Sequence, residues 1–202
     1  MVRVNRRQKI WRWLLAAALL TGFACGDEPP CEKSGPPCST AEAPTIDDRH
    51  VAAAVTWTNG DPVGFQAYGE SNVYWSTDGH SLSLRAAAPA FQQGATPRMV
   101  TLMIELFTDV DGDSPACFVS ERLFPLCFEL GDGGGGNATL EDGTAYYVTE
   151  GGATGALEIL GSGAGGELLG TFELDVFRKE GETLISAQEV VFDNGRFSAP
   201  RK

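Results

Sequence analysis

Apolar side chains recur at every second position along most of the chain, and that period decides what the chain can fold into. Phe172, Leu174 and Val176 alternate with Thr171, Glu173 and Asp175. Val100, Leu102, Ile104 and Leu106 share one side, with Thr101 and Glu105 on the other. Leu82, Leu84 and Ala86 alternate with Ser81, Ser83 and Arg85, and Val51, Ala53, Val55 and Trp57 repeat the pattern near the start. Because successive strand side chains point to opposite faces, such stretches are half-buried β-strands whose apolar faces need a partner. Beyond the N-terminal segment no 11-residue window has helical spacing. Asn59-Gly60, Asp78-Gly79, Asp142-Gly143 and Asn194-Gly195 suit the positive φ angles of tight turns. About nine or ten short strands in roughly 150 residues predict an all-β fold. Its expected form is a single antiparallel β-sandwich, or a barrel-like closure of the same sheet, over residues 49–202.

The N-terminal segment has a different chemistry. Arg3, Arg6, Arg7, Lys9 and Arg12 precede an apolar run, and the 12 residues from Trp13 to Ala24 carry no charge. As a helix that run reaches roughly 18 Å, against a hydrocarbon core of about 30 Å. Residues 1–24 therefore read as a secretory signal peptide rather than a spanning helix. Cys25, at the end of the run, resembles the acylated cysteine of bacterial lipoproteins. Gly22 and Phe23 depart from the usual lipoprotein positions, and Gly22-x-Ala24 equally suits an ordinary signal peptidase cutting before an unmodified cysteine. The lipoprotein reading makes Cys25 the lipidation site and the membrane a partner through more than one acyl chain, as stable anchoring requires. The domain would then be held at the cell envelope, in the outer membrane or periplasm of a Gram-negative cell; the alternative is a secreted protein. Pro29, Pro30, Pro36, Pro37 and Pro44 make residues 25–48 a semi-extended tether.

Charge narrows the partners. All 27 acidic residues follow position 24, against ten basic ones, so the exported part has a formal charge of −17. Such a surface repels phosphate backbones, which argues against a nucleic-acid partner. In an oxidising compartment Cys31, Cys38, Cys117 and Cys127 allow two disulfides in three connectivities, and proximity favours Cys31 with Cys38 and Cys117 with Cys127.

Candidate chemistry is sparse. Asp109, Asp111 and Asp113 place alternate carboxylates where a calcium ion could collect oxygens. The register departs from an EF-type loop, since the sixth and twelfth positions are Ser114 and Ser120. The bland reading is a solvated acidic turn with no cofactor. Fourteen of the 25 glycines fall between 131 and 170, which reads as a series of flexible inter-strand loops rather than a phosphate cradle. The two histidines, His50 and His80, have no nucleophile or acid partner in sequence, so no catalytic constellation is predicted. Paired carboxylates remain the route by which the domain could be a hydrolase of envelope polysaccharide. Tyr68, Tyr74 and Trp75 are candidates for an aromatic binding platform. Being adjacent, Tyr74 and Trp75 must point to opposite sides of their strand.

Tyr146-Tyr147-Val148-Thr149, Gly155-Ala156-Leu157-Glu158-Ile159, Gly170-Thr171-Phe172 and Asn194-Gly195-Arg196-Phe197 form a recurring pattern. Over residues 137–198 it resembles a loose group of bacterial lipoproteins of unknown function with a C-terminal β-sandwich domain. The resemblance implies a lipid-anchored β-sandwich, and the signal, the proline-rich tether and the absence of a catalytic constellation make a binding or structural module the expected function. It carries over no functional residues. A hydrolase and a calcium-stabilised, adhesion-type module are the alternatives.

Overall fold

A computed structural model describes residues 50–78, 81–90, 98–107, 115–131, 135–149, 155–163 and 165–202. The signal segment 1–24, Cys25, Cys31, Cys38, the Pro-rich tether, His80 and the Asp109, Asp111 and Asp113 group lie outside the described residues. The described residues belong to one compact unit.

Alternation becomes strand wherever it was strongest. In chain order the elements are β1 (His50–Trp57), β2 (Val63–Tyr68), β3 (Val73–Thr77), β4 (Leu82–Ala90), β5 (Arg98–Leu106), α1 (Pro115–Glu121) and β6 (Leu126–Leu130). There follow β7 (Gly136–Glu141), β8 (Tyr146–Val148), β9 (Gly155–Ser162), β10 (Leu168–Glu180) and β11 (Thr183–Ala199). The fold is all-β, with eleven strands among the described residues. The brief helix α1 escapes an 11-residue window because it has only seven residues. It opens on Pro115, whose fixed φ suits a first helical position, and buries Phe118 and Val119 in the core.

All eleven strands belong to one sheet, in the order β2-β1-β11-β10-β9-β6-β7-β5-β4-β3, with β8 joining β10 to β7. Among the described residues every strand pairing is antiparallel except the single contact of Leu130 in β6 with Gly136 in β7, and the isolated bridge between Trp75 and Arg201 is also parallel. The sheet folds over so that strands far apart in this order share an interior. Leu82, Leu84, Ile104 and Leu106 from β4 and β5 meet Leu157, Ile159, Leu168 and Phe197 from β9, β10 and β11, leaving no room for water between them. That packing is what the alternation demands: one face of each strand leaves water, at roughly 25 cal/mol per Å² of apolar surface. The sheet is not a closed barrel. Instead the segment after β11 runs along the outer edge of β3, where Trp75 N donates to Pro200 O (2.8 Å) and Lys202 N donates to Trp75 O (2.9 Å).

Turn chemistry is realised at two of the four expected places, and at a third, Asp78-Gly79, the glycine lies outside the described residues. Asn59 has φ 59° between β1 and β2, and Gly60 N donates to Trp57 O at 2.8 Å. Asp78 Oδ1 accepts from Ser81 N at 2.8 Å between β3 and β4. Asp142 Oδ1 accepts from the backbone N of Thr144 (2.8 Å) and Ala145 (2.7 Å) between β7 and β8. Asn194-Gly195 is different, because it lies inside β11. The register of β11 slips there against both β1 and β10, so the positive φ of Asn194 (52°) makes a β-bulge instead of a turn.

The glycines also differ from expectation. Several of those between 131 and 170 sit in strands, where the missing side chain makes space for a large neighbour. On the central hairpin the arrangement is reciprocal: Gly170 faces Phe197 and Gly195 faces Phe172 across the β10–β11 ladder. A Cβ on Gly195 would stand 2.5 Å from Phe172 O and 2.7 Å from its ring. One on Gly170 would run into Glu158 O and come within 2.5 Å of the Phe197 ring. Each phenylalanine is thus laid flat over the opposing backbone and buried, which neither local sequence reveals.

Replacing Gly170 or Gly195 with Ala is expected to destabilise the domain by about 1 to 3 kcal/mol, the usual range for overpacking a filled site. Urea denaturation measures it. Phe197→Leu in the Gly170→Ala background should recover only part of the loss, because the clash with the Glu158 carbonyl remains.

Candidate functional site

The three aromatic candidates do not form one platform. Trp75 turns inward and is 4% exposed, with Nε1 donating to Gly166 O at 2.9 Å and the Arg201 guanidinium 5.2 Å above its ring. It is a core residue, because β3 places it on the apolar face with Val73. Tyr74, on the opposite side of the strand as the alternation requires, stands across from Arg85 of β4. Arg85 Nη1 donates to its hydroxyl at 3.1 Å, and Lys202 Nζ lies 4.3 Å from its ring centroid. The hydrogen bond from Arg85, helped by the charges of Arg85 and Lys202, lowers the Tyr74 pKa below its ordinary 10.0, against a smaller desolvation effect. Tyr68 on β2 is exposed, stacks on His50 of β1 with centroids 4.3 Å apart, and donates from its hydroxyl to Gln66 Oε1 at 2.8 Å.

A different set of residues comes together on the outer face of β9, β10 and β11. There a depression of about 320 Å³ is lined by Ala156, Glu158, Thr171, Phe172, Glu173, Asn194, Gly195 and Arg196. Register explains the grouping. Thr171 of β10 pairs with Glu158 of β9 on one side and Arg196 of β11 on the other, and Glu173 pairs with Ala156. The bulge at Asn194 interrupts the ladder beside Glu173, and the absent side chains of Gly195 and the small Ala156 leave the floor low. Glu158 and Glu173 are diagonal neighbours, about 7 to 8 Å apart along the sheet.

The polar groups of this depression are not engaged with one another. Among the described residues, the side chains of Thr171, Glu173, Asn194 and Arg196 take part in no hydrogen bond or ion pair. Glu158 has only the Cys127 sulfur nearby, 3.9 Å from Oε1. The site therefore offers two carboxylates, a guanidinium, an amide and a hydroxyl to whatever enters it, on strands rather than on a loop. Chemically it can accept and donate hydrogen bonds and hold charges of both signs.

Other sequence candidates are placed as follows. Cys117 lies on α1 and Cys127 on β6, both half-buried. Among the described residues no group of three or more His, Cys, Asp or Glu side chains could hold a metal. Nor is any described helix long and apolar enough to cross a membrane. Sequence reading missed Glu158, Thr171, Glu173 and Arg196 as site residues, although it singled out three of the segments that carry them. Their meeting depends on a pairing register between strands that no local spacing shows.

Arg85→Gln is expected to move the Tyr74 pKa back up toward 10.0. Tyrosinate absorbance against pH reads this, and Tyr74→Phe identifies the transition. Because the folded pKa is depressed, the associated stability is present above the unfolded pKa and is lost as pH falls through the folded one. Wild type should gain on Arg85→Gln only in the alkaline range. No protein-family model, no curated protein and no solved structure matches this chain.

Proposed function

We propose that the chain is an exported, lipid-anchored cell-envelope protein whose β-domain works as a binding module. In this reading residues 1–24 are the signal peptide, Cys25 is acylated, residues 25–48 are the tether, and the domain from 49 onward presents its outer face to a ligand. The basic start, short apolar run and cysteine support the anchor, and the proline-rich segment supports the tether. The observation that carries the binding role is the depression over β9–β11, where charged and polar side chains stand around a preformed hollow without pairing with one another. Preformed concavity with a few convergent polar groups is the usual form of a ligand site.

A polysaccharide hydrolase has one point in its favour, the neighbouring carboxylates Glu158 and Glu173. Binding is preferred because the hollow is open on a sheet face, has no exposed ring for stacking a sugar, and has no wall to exclude water. The exported compartment also makes disulfides the proposed state of Cys31 with Cys38 and Cys117 with Cys127. Each pair would close a short loop and contribute about 2 to 3 kcal/mol.

Metabolic labelling with an alkyne fatty acid tests the anchor. The chain should take up label and fractionate with membranes, and Cys25→Ala should lose both; a label-free, secreted product that Cys25→Ala leaves unchanged overturns the anchor. Peptide mapping without reductant is expected to return the two local disulfides, and a linkage between the 31/38 and 117/127 pairs would overturn that pairing.

A further inference from the structure

We infer that the depression on β9–β11 is a receptor site for a small zwitterion of dipeptide size, with its ammonium between Glu158 and Glu173 and its carboxylate on Arg196. The inference rests on the reading of that hollow as a binding site and adds the class of ligand. Three observations carry it. The charged ends lie on different strands: Glu158 on β9, Glu173 on the middle strand β10, and Arg196 on β11, across from Thr171. They do not neutralise each other, since Arg196 forms no ion pair with either carboxylate. The hollow lies between them.

Distances match the ligand. Glu158 and Arg196 are two strand spacings apart, about 9 to 10 Å between Cα atoms. Side chains leaning over the hollow shorten the gap between charged ends, and an extended dipeptide spans at most about 7 Å. An ammonium set between two diagonal carboxylates relieves their mutual repulsion. A carboxylate suits the fork of a guanidinium, which presents paired N–H donors to it. Thr171 Oγ1 and the Asn194 amide stand between and beside these ends, where a peptide N–H and C=O need partners. A lone cation would satisfy only one half of the site and a lone anion only the other.

The test titrates the full chain with four probes: alanyl-alanine, its N-acetyl form, its C-terminal amide, and the doubly blocked compound, followed by ligand-observed NMR and calorimetry. Alanyl-alanine should bind with a Kd of about 1 mM, in keeping with so small a ligand. Blocking either end should weaken binding about tenfold or more. Arg196→Gln should bind the free dipeptide and its amide equally, and a Glu158→Gln, Glu173→Gln variant should no longer distinguish the free from the acetylated amine. These loss-of-discrimination readouts do not follow from a merely structural role, and circular dichroism checks the fold of each variant. Equal binding of all four probes overturns the zwitterion while leaving a binding site in place. Retained discrimination in Arg196→Gln overturns the assignment of the carboxylate end. No binding by any probe at about 50 mM, far above that Kd, overturns both the inference and the reading of the hollow as a site for such ligands.

Discussion

The close fit of Phe172 over Gly195 and Phe197 over Gly170 fixes the β10–β11 hairpin, and the sheet grows from that hairpin in both directions. β11 carries β1 and then β2; β10 carries β9 and β8, and through them the remaining strands. A slip of one residue between β10 and β11 would set each phenylalanine against a side chain instead of a glycine, and would turn every apolar face outward. The contact therefore works as a register lock more than as a source of burial. It also explains why the bulge at Asn194 is tolerated. The extra residue is taken up immediately beside a position whose alignment is already determined by Gly195.

The candidate site is a by-product of that same lock. Glycine at 195 lowers the floor, the bulge breaks the ladder next to Glu173, and the fixed register aligns Glu158, Thr171 and Arg196 in one row. Strands hold such a row more firmly than loops would, since each residue is hydrogen-bonded on both sides. The proposed anchor and tether would hold the domain outside a membrane, where a small ligand can reach it by diffusion. In an acidic chain, Arg196 is the informative charge in the hollow, because it is the one basic side chain among those that line it.

Much of the fold was legible in the sequence, because half-buried strands write their period directly into it. β1, β4, β5 and β10 lie where alternation placed them, with the expected faces inward. What escaped was whatever depends on a distant partner. Asn194-Gly195 has the same local chemistry in a bulge as in a hairpin turn, since both use a positive φ, and only the strands alongside decide between them. Gly155 and Gly170 look like loop residues until Leu130 and Phe197 are seen filling the space a Cβ would take. Trp75 was a platform candidate as one of a run of aromatic residues in the first part of the domain, but its strand turns it toward the core. The hollow was invisible for the same reason, its residues lying on three strands between positions 156 and 196 and joined only by register.

The pairing of β1 with β11 has a consequence for the order of events in making the molecule. One edge of β1 pairs with β2, the next strand in the chain, but its other edge pairs with β11, Val51 with Phe197, so nearly the whole domain must be present before the β1–β2 hairpin can join the rest of the sheet. Contacts so distant in sequence form slowly, because the intervening chain must first be closed into a loop. Until β11 arrives, the β1–β2 hairpin has an apolar face and is not joined to the sheet that buries it. For a chain read as exported, that delay keeps the polypeptide unfolded while it is still being threaded, and defers assembly to the far side.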